Sequence, residues 1–447
     1  SSSFWRDMGA IKNLDIDQVS YGKTHPMYAG SKFNFPKENI FEFENVIKSQ
    51  SKPKLSIFSR DEKGKKVKFK IKIGNEMHSD PTAAAFMLAA GFPADLVQYR
   101  RNVRINLGKQ KYADFAKGWE SYYRRDYLHR KSKIEDFLID QGTDSDGQDY
   151  VVFKEGVLEP RSDVFNRIGP WAYGDHTHDR EVRGLVLFQI WIANMDMKEM
   201  DNNRAVLRKD NDHGSGIFRF VSDPGATFGN YGAFFMEKPE LFPDRMVKKN
   251  TSRAVEMNFM ASQAPSIRDH LTYNDGRWGA RLIAQFTRSQ VERAVALGGG
   301  PVCVQQALTE KLIRRRNDLV RAFDLQNEVQ LMSTAAEINT QQLGQCVSSE
   351  RVREDFVTKF DFGIEDILGP LQEAAWIGIM DAARNSIGSF KKISLSGREF
   401  GIDKGLVSAI ILNVKRDIEK NPNPEGFHDK YLVKDSFTVG FRLGAAH

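Results

Sequence analysis

Two cysteines, Cys303 and Cys346, are all that 447 residues contain, and no Cys-x-x-Cys pair is among them. A disulfide-dense scaffold and a cysteine zinc site are thereby excluded, while a single bridge stays open and leaves the redox compartment undecided. Long apolar runs are missing too. The strongest, residues 184–193, is about half of the roughly 20 residues that a membrane-crossing helix needs. Charge of one sign is also scarce: Lys+Arg 65 against Asp+Glu 59 gives +6, too diffuse to argue for specific nucleic-acid binding. No Gly-x-Gly-x-x-Gly precedes the lysine-rich strand described below, and Gly298-Gly299-Gly300 leads to no Lys-Ser/Thr, so no P-loop is present.

What is present suffices for a folded chain. Apolar residues make up 40% and aromatics 11%, more than disordered chains carry. A chain of this length buries about three-quarters of its unfolded surface and needs no metal or disulfide staple. The opening Ser1-Ser2-Ser3 in place of Met reads as a processed start, which leaves room for a removed signal peptide and leaves localisation unknown.

Residues 1–45 lack periodicity and read as an irregular lead-in. Leu55-Ser56-Ile57-Phe58 reads as a strand, residues 60–65 as a turn, and Val67-Lys68-Phe69-Lys70-Ile71-Lys72-Ile73 alternates at period two, with lysines on one face. Ser79-Asp80-Pro81 opens an Ala-rich helix, with Ser79 as the capping residue, that stops at Gly91-Phe92-Pro93. Residues 126–148 read as a polar helix and loop, 151–153 as a strand and 180–194 as a buried helix. Strands follow at 205–207 and 217–221, then helices at 287–296, 302–324, 328–350 and 364–386, and a strand pair at 431–443. The expected division is a lead-in (1–45), a small β-rich lobe (46–105), a larger helical lobe (106–327) and a helical extension with a terminal strand pair (328–447).

Three pieces occur in a telling order: Lys72-Ile-Gly-Asn-Glu76-Met-His-Ser-Asp80 before the Ala-rich helix, Asp196-Met-Lys198 after the buried helix with Asp201, Asn202 and Asn203 close behind, and Asp223-Pro-Gly225-Ala-Thr-Phe-Gly229 after a strand. Together they resemble the atypical branches of the protein-kinase-like superfamily, namely HipA-like toxins, phosphoinositide kinases and secretory-pathway kinases, and more closely an uncharacterised bacterial group of that kind. The resemblance covers about residues 50–325. It implies a two-lobed α+β kinase-like fold and an ATP- and Mg²⁺-dependent (Mn²⁺ as substitute) phosphotransferase acting on a hydroxyl acceptor.

The physical reading of these residues runs alongside. Phosphoryl transfer needs positioning and charge neutralisation more than covalent chemistry. Lys72, with Lys70 on the same face as its rival, would hold phosphates if Glu76 or Asp80 fixed its ammonium. Asp196 would take the acceptor's proton and Lys198 would neutralise the γ-phosphate. Asp223 would hold the metal with Asn202, Asn203 or Asp201, since hard oxygen donors suit Mg²⁺. Gly225 would let backbone approach the phosphates. Nucleotidyl (AMP) transfer and an inactive pseudokinase scaffold are the rival functions on the same fold.

Other motifs draw plainer readings. Asp361-Phe362-Gly363 lies too far past Asp196 to be a kinase metal motif. Asp175-His176-Thr177-His178-Asp179 would put two imidazoles on one face of a strand, but spacing suggests no third metal ligand, so it reads as a polar loop. Arg314-Arg315-Arg316 reads as a solvated helix face. The basic stretch 48–72, ten Lys/Arg against two acids, offers contact to a membrane surface or acidic substrate.

Overall fold

The computed structural model describes residues 2–28, 33–47, 53–123, 134–161, 165–198, 200, 202–208, 216–228, 242–251, 254–259, 266–300 and 302–334. The helices expected at 364–386 and over most of 328–350, the strand pair at 431–443, Asp361-Phe362-Gly363 and Asp201 lie outside these residues.

The chain is α+β. After a short helix α1 (Ile16–Ser20), the strands β1 (Ile40–Val46), β2 (Lys54–Arg60) and β3 (Lys66–Lys72) follow one another. The β2–β3 hairpin forms because Asp61 closes its turn: the backbone N–H groups of Lys63 and Lys65 donate to Asp61 Oδ1 at 3.0 and 2.8 Å. Helix α2 (Ser79–Ala89) is buried on every side, as its Ala, Phe, Met and Leu content dictates. His78 occupies the cap position without a side-chain capping bond, its Nδ1 lying 2.7 Å from the Gly298 carbonyl instead, so Ser79 is the first helical residue rather than the cap. Gly91, at φ +87°, ends the segment; a Cβ there would stand 2.0 Å from the Arg6 carbonyl oxygen.

Then come β4 (Gln98–Asn106), α3 (Tyr112–Tyr123), β5 (Leu138–Thr143) and the long β6 (Asp149–Pro160). The sheet therefore runs past the boundary expected at 105, and residues 138–143 are a strand, not part of a polar helix. Strand order β3-β2-β1-β4-β6 closes on itself through a β3–β6 pairing, with β5 on the free half of β6. Only β1–β4 is parallel within it. Phe41, Leu55, Ile57, Phe69, Ile71, Val103, Ile105, Phe153 and Leu158 are buried with it. Closure removes the edge that β3 would otherwise expose.

A second sheet is made of β7 (Phe165–Gly169), β8 (Asn203–Arg208) and β9 (Ile217–Val221). Helix α4 (Arg180–Trp191) leads into it, the small pair β10 (Val247–Asn250) and β11 (Val255–Met257) follows, and of α5 (Tyr273–Ala284), α6 (Arg288–Ala296) and α7 (Val302–Ala322), α5 and α7 pack on α4 while α6 packs on α7 and α2. Thr272 and Thr287 cap α5 and α6 with reciprocal capping boxes.

Two of the three arginines expected on a solvated face of α7 are instead buried. Arg315 donates to the carbonyls of Trp191 (2.8 Å), Ile190 and Pro243, closing the C-terminus of α4. Arg316 does the same for Ala284 at the end of α5 (2.6 Å). A guanidinium's fork of donors satisfies carbonyls that a helix end leaves unpaired, and its charge suits the negative end of the helix. The helix expected from 328 does not start there; residues 331–334 are extended or irregular.

Candidate active site

Period-two alternation puts Phe69 and Ile71 in the core and Lys66, Lys68, Lys70 and Lys72 on the opposite face of β3. Register then decides what each lysine meets. Lys72 lies between Lys54 of β2 and Val157 of β6; Lys70 lies between Ser56 and Glu159. Lys70 pairs with Glu159. Lys72 bridges two acids from distant parts of the chain: its Nζ is 2.6 Å from Asp80 Oδ2 in the first turn of α2 and is bonded to Asp223 Oδ1, with Glu159 at 4.0 Å. Lys54 reaches the other Asp223 oxygen at 3.4 Å. Lys72 is 5% exposed, Lys54 3% and Asp80 0%.

Burial and charge pull in opposite directions here. Burial alone would lower the Lys72 pKa, but Asp223, Asp80 and Glu159 overturn it and hold the ammonium well above its ordinary value. Burial would raise Asp223, yet Lys72, Lys54 and Lys70 hold it well below the carboxylate range. Asp80 goes the other way. Burial, opposed by Lys72 and helped by repulsion from Asp223 and Glu76, pushes it up to about 6. One of its oxygens, Oδ1, is buried with no hydrogen-bond partner. Lys54 is lowered by burial, Asp223 countering and Lys72 and Lys70 reinforcing.

The second half of the site comes from the turn after α4. A buried chain of polar groups fixes it: Gln189 donates to the Tyr173 hydroxyl, Asn194 donates to Gln189 Oε1, and Asn194 Oδ1 accepts from the Asp196 N–H at 3.0 Å. Asn202 Nδ2 donates to Asp196 Oδ2 at 2.9 Å and to the Asp196 carbonyl at 3.0 Å, and Lys198 Nζ lies 3.3 Å from Asp196 Oδ2. Asn203 turns away and donates to the Lys198 carbonyl. The β8–β9 register pairs Asn203 with Val221, which sets Ser222 beside Asn202, and the Ser222 N–H donates to the Asn202 carbonyl at 2.7 Å. Asp223 thus follows directly on backbone tied to the Asp196–Asn202 turn. Two further backbone bonds lock the segments together, Met195 N–H to Ala226 and Phe228 N–H to Ile192. Ala193, Asp223 and Phe228 all have positive φ (51°, 60° and 61°), conformations that side chains resist and that surrounding contacts must hold. The Phe228 ring is fully buried against Phe86 of α2 and Phe242, so the segment after Asp223 and the helix bearing Asp80 share a core.

Of the residues singled out in the sequence, Lys72, Asp80 and Asp223 meet directly, and Asp196, Lys198 and Asn202 form the adjoining group. Lys70 is drawn off to Glu159. Glu76 adds its charge to the field on Lys72, and its side chain lies against Gly225: a Cβ on Gly225 would come within 2.5–2.8 Å of the Glu76 Cβ, Cγ and Cδ, so a larger residue there would displace Glu76. Asn203 stands off Asp196. Sequence reasoning missed Lys54, Glu159 and the Tyr173–Gln189–Asn194 support. The signal for Lys54 was available, since Lys54 and Lys72 are equidistant from the turn at 61–65 and must therefore pair.

His176 is on a short 3₁₀ turn (Gly174–His176), not a strand, and its Nδ1 bonds Asp179 at 2.7 Å. Among the described residues no three His, Cys, Asp or Glu side chains gather as a metal cage. The carboxylates of Asp223, Asp196, Asp80 and Glu159 and the amide of Asn202 are hard oxygen donors, the chemistry Mg²⁺ takes, and in this arrangement both Asp223 oxygens are held by Lys72 and Lys54. No helix among the described residues is long and apolar enough to cross a membrane. Compared with family models, curated proteins and solved structures, the chain matches none.

Proposed function

We propose that this chain is an ATP- and Mg²⁺-dependent phosphotransferase of the atypical kinase type, acting on a hydroxyl acceptor. The observation that carries the reading is the Lys72 bridge. A strand lysine held at once by a helix acid and by the carboxylate that follows β9 is a cation fixed where a phosphate chain and its metal must meet. In this reading the barrel with α2 forms the small lobe, and α4 to α7 with the β7–β9 sheet form the large one.

Each side chain then has a task. Lys72 holds α/β-phosphate oxygens, and Asp80 keeps its ammonium in place. Asp223 and Asn202 would hold Mg²⁺, which would supply positive charge to offset that of the phosphates. Asp196 accepts the proton of the acceptor hydroxyl; Asn202 orients its carboxylate, and the neighbouring Lys198 neutralises the transferred phosphoryl oxygens. Asn194 fixes the backbone of Asp196 from below.

The decisive experiment supplies γ-labelled or α-labelled ATP with Mg²⁺ and a cell extract. Transfer of the γ label to a hydroxyl-bearing product is expected. Transfer of the α label instead identifies AMP transfer, and transfer of neither, with nucleotide bound, identifies a scaffold without turnover.

A further inference from the structure

Residues 3–6 form no helix or strand, yet they hold segments that lead to all three site aspartates. Toward Asp223, the Arg219 N–H of β9 donates to the Ser3 carbonyl at 2.7 Å, and Arg219 Nη1 donates to Ser3 Oγ at 2.6 Å. Toward Asp80, Trp5 Nε1 donates to the Ala90 carbonyl at 2.8 Å and the Arg6 N–H to the Gly91 carbonyl at 2.9 Å. These are acceptors that the end of α2 leaves open.

The link toward Asp196 is made by Phe4. Its ring stands edge-on to Trp171 and His176, with centroids 5.0 and 4.6 Å away, and the Arg219 guanidinium lies 5.3 Å from its centre. The Trp171 indole N–H donates to the Phe220 carbonyl at 3.1 Å, which fixes one point of that ring, and its edge packs on Tyr173 at 4.8 Å. The Tyr173 hydroxyl accepts from Gln189, which accepts from Asn194, whose Oδ1 holds the Asp196 N–H. Phe4, Trp171, Tyr173, Gln189 and Asn194 are each at most 5% exposed. A buried polar chain has no water to fall back on, and a close-packed aromatic edge cannot shift without moving its neighbour.

We infer that Phe4 is a positioning residue for Asp196: its edge contact on Trp171 seats Tyr173, and through Gln189 and Asn194 it sets the backbone that carries the Asp196 carboxylate. The inference goes beyond the phosphotransfer reading, and only its kinetic consequence rests on that reading.

The test is native-state hydrogen exchange of the full chain, for wild type, Phe4→Leu, Phe4→Met, Tyr173→Phe and the Phe4→Leu/Tyr173→Phe double variant. Exchange is read at the Asp196 N–H and, as control, at amides of the β2–β3 hairpin. Phe4→Leu and Phe4→Met keep apolar bulk and lose the aromatic edge. They should speed exchange at Asp196 by about two- to tenfold more than at the hairpin, the worth of one edge-to-face contact. In the Tyr173→Phe background, where the bond to Gln189 is already cut, Phe4→Leu should add less than about twofold. Equal acceleration at Asp196 and the hairpin marks general packing and overturns the inference. So does an effect of Phe4→Leu that is the same with and without the Tyr173 hydroxyl, or a Tyr173→Phe variant whose Asp196 exchange is unchanged. Under the phosphotransfer reading, the Phe4 variants lower turnover by about two- to tenfold and leave Mg-ATP affinity within about twofold. A loosened Asp196 amide with unchanged turnover overturns the inference. A wild type that has no turnover overturns the phosphotransfer reading instead, and the exchange result then decides the inference alone.

Discussion

At its turn end β3 offers Lys66 and Lys68 to a half-buried Glu44 on β1, 2.8 and 2.7 Å away. At its other end the same alternation offers Lys70 and Lys72 to Glu159, Asp80 and Asp223, all of them with backbone in the interior or at its margin. Four lysines on one face of one strand thus divide into a solvated pair and an inward pair, of which Lys72 is buried and Lys70 partly so. Glu44 is held down at about 2 by hydrogen bonds from Lys66, Lys68 and Ser56. A surface carboxylate with three donors is ordinary electrostatics, and such pairs contribute little. At the buried end the charges cannot fall back on water, so each depends on the others. A strand pattern says which residues share a face; only the partner elements say which of them are costly to disturb.

The largest effect should come from the half of the site to which the proposed function assigns catalysis. Asp196→Asn keeps the shape and the Asn202 contact but removes the base. Turnover is expected to fall by about 10²–10⁴-fold while the affinity for Mg-ATP stays within about threefold of wild type. Steady-state kinetics beside calorimetry checks this, and near-wild-type turnover would defeat the role given to Asp196.

Next in size is Lys72→Met, which takes the shared cation from the buried Asp80 and the partly buried Asp223. Breaking a buried pair from one side costs roughly 3–5 kcal/mol. The lower end is expected, because Lys54 stays on Asp223. Urea unfolding of the variant reads it, and a cost under about 1 kcal/mol would mean that the two ends of β3 do not differ.

Asp80→Asn separates the buried end by pH. The folded Asp80 value of about 6 lies above the ordinary 3.8, so the folded protein takes up this proton before the unfolded chain does. Its contribution to stability is fully present below about pH 4 and lost as pH rises through 6. Asp223 is depressed instead, so its contribution is present above about pH 4 and lost as acid titrates it below that. Replacing Asp80 removes only the first. Relative to wild type, the variant should gain on the order of 2 kcal/mol between pH 4.5 and pH 7.5. A stability difference that does not change with pH would show that Asp80 titrates normally.

Much of the local structure was legible because local patterns set it. The β2–β3 hairpin, α2, α4, β8 and β9 lie where periodicity and turn residues put them. Lys72, Asp80, Asp196 and Asp223 stood out as residues of the right type in the right order. What stayed hidden depends on contacts between distant segments. Closure of the barrel brings Glu159 to Lys70 through β3–β6 pairing, which no feature of either strand announces. That Asp80 bonds Lys72 directly follows from how α2 enters the core. The buried arginines of α7 could not be told from a solvated row, because their partners are main-chain carbonyls at the ends of α4 and α5.

The smallest effect sharpens the comparison most cheaply. Lys68→Met removes an ion pair of 2.7 Å, a better separation than the 3.4 Å between Lys54 and Asp223. If distance set importance, Lys68 would matter more. Its side chain is half exposed, however, and Glu44 keeps Lys66 at 2.8 Å and the Ser56 hydroxyl at 2.7 Å after the change. Water screens what remains. The cost should be below about 0.5 kcal/mol, and Mg-ATP affinity should move by less than about twofold. Should Lys68→Met weaken nucleotide binding as much as Lys72→Met, the phosphate chain lies along the whole lysine face, and burial is not what separates the two ends of β3.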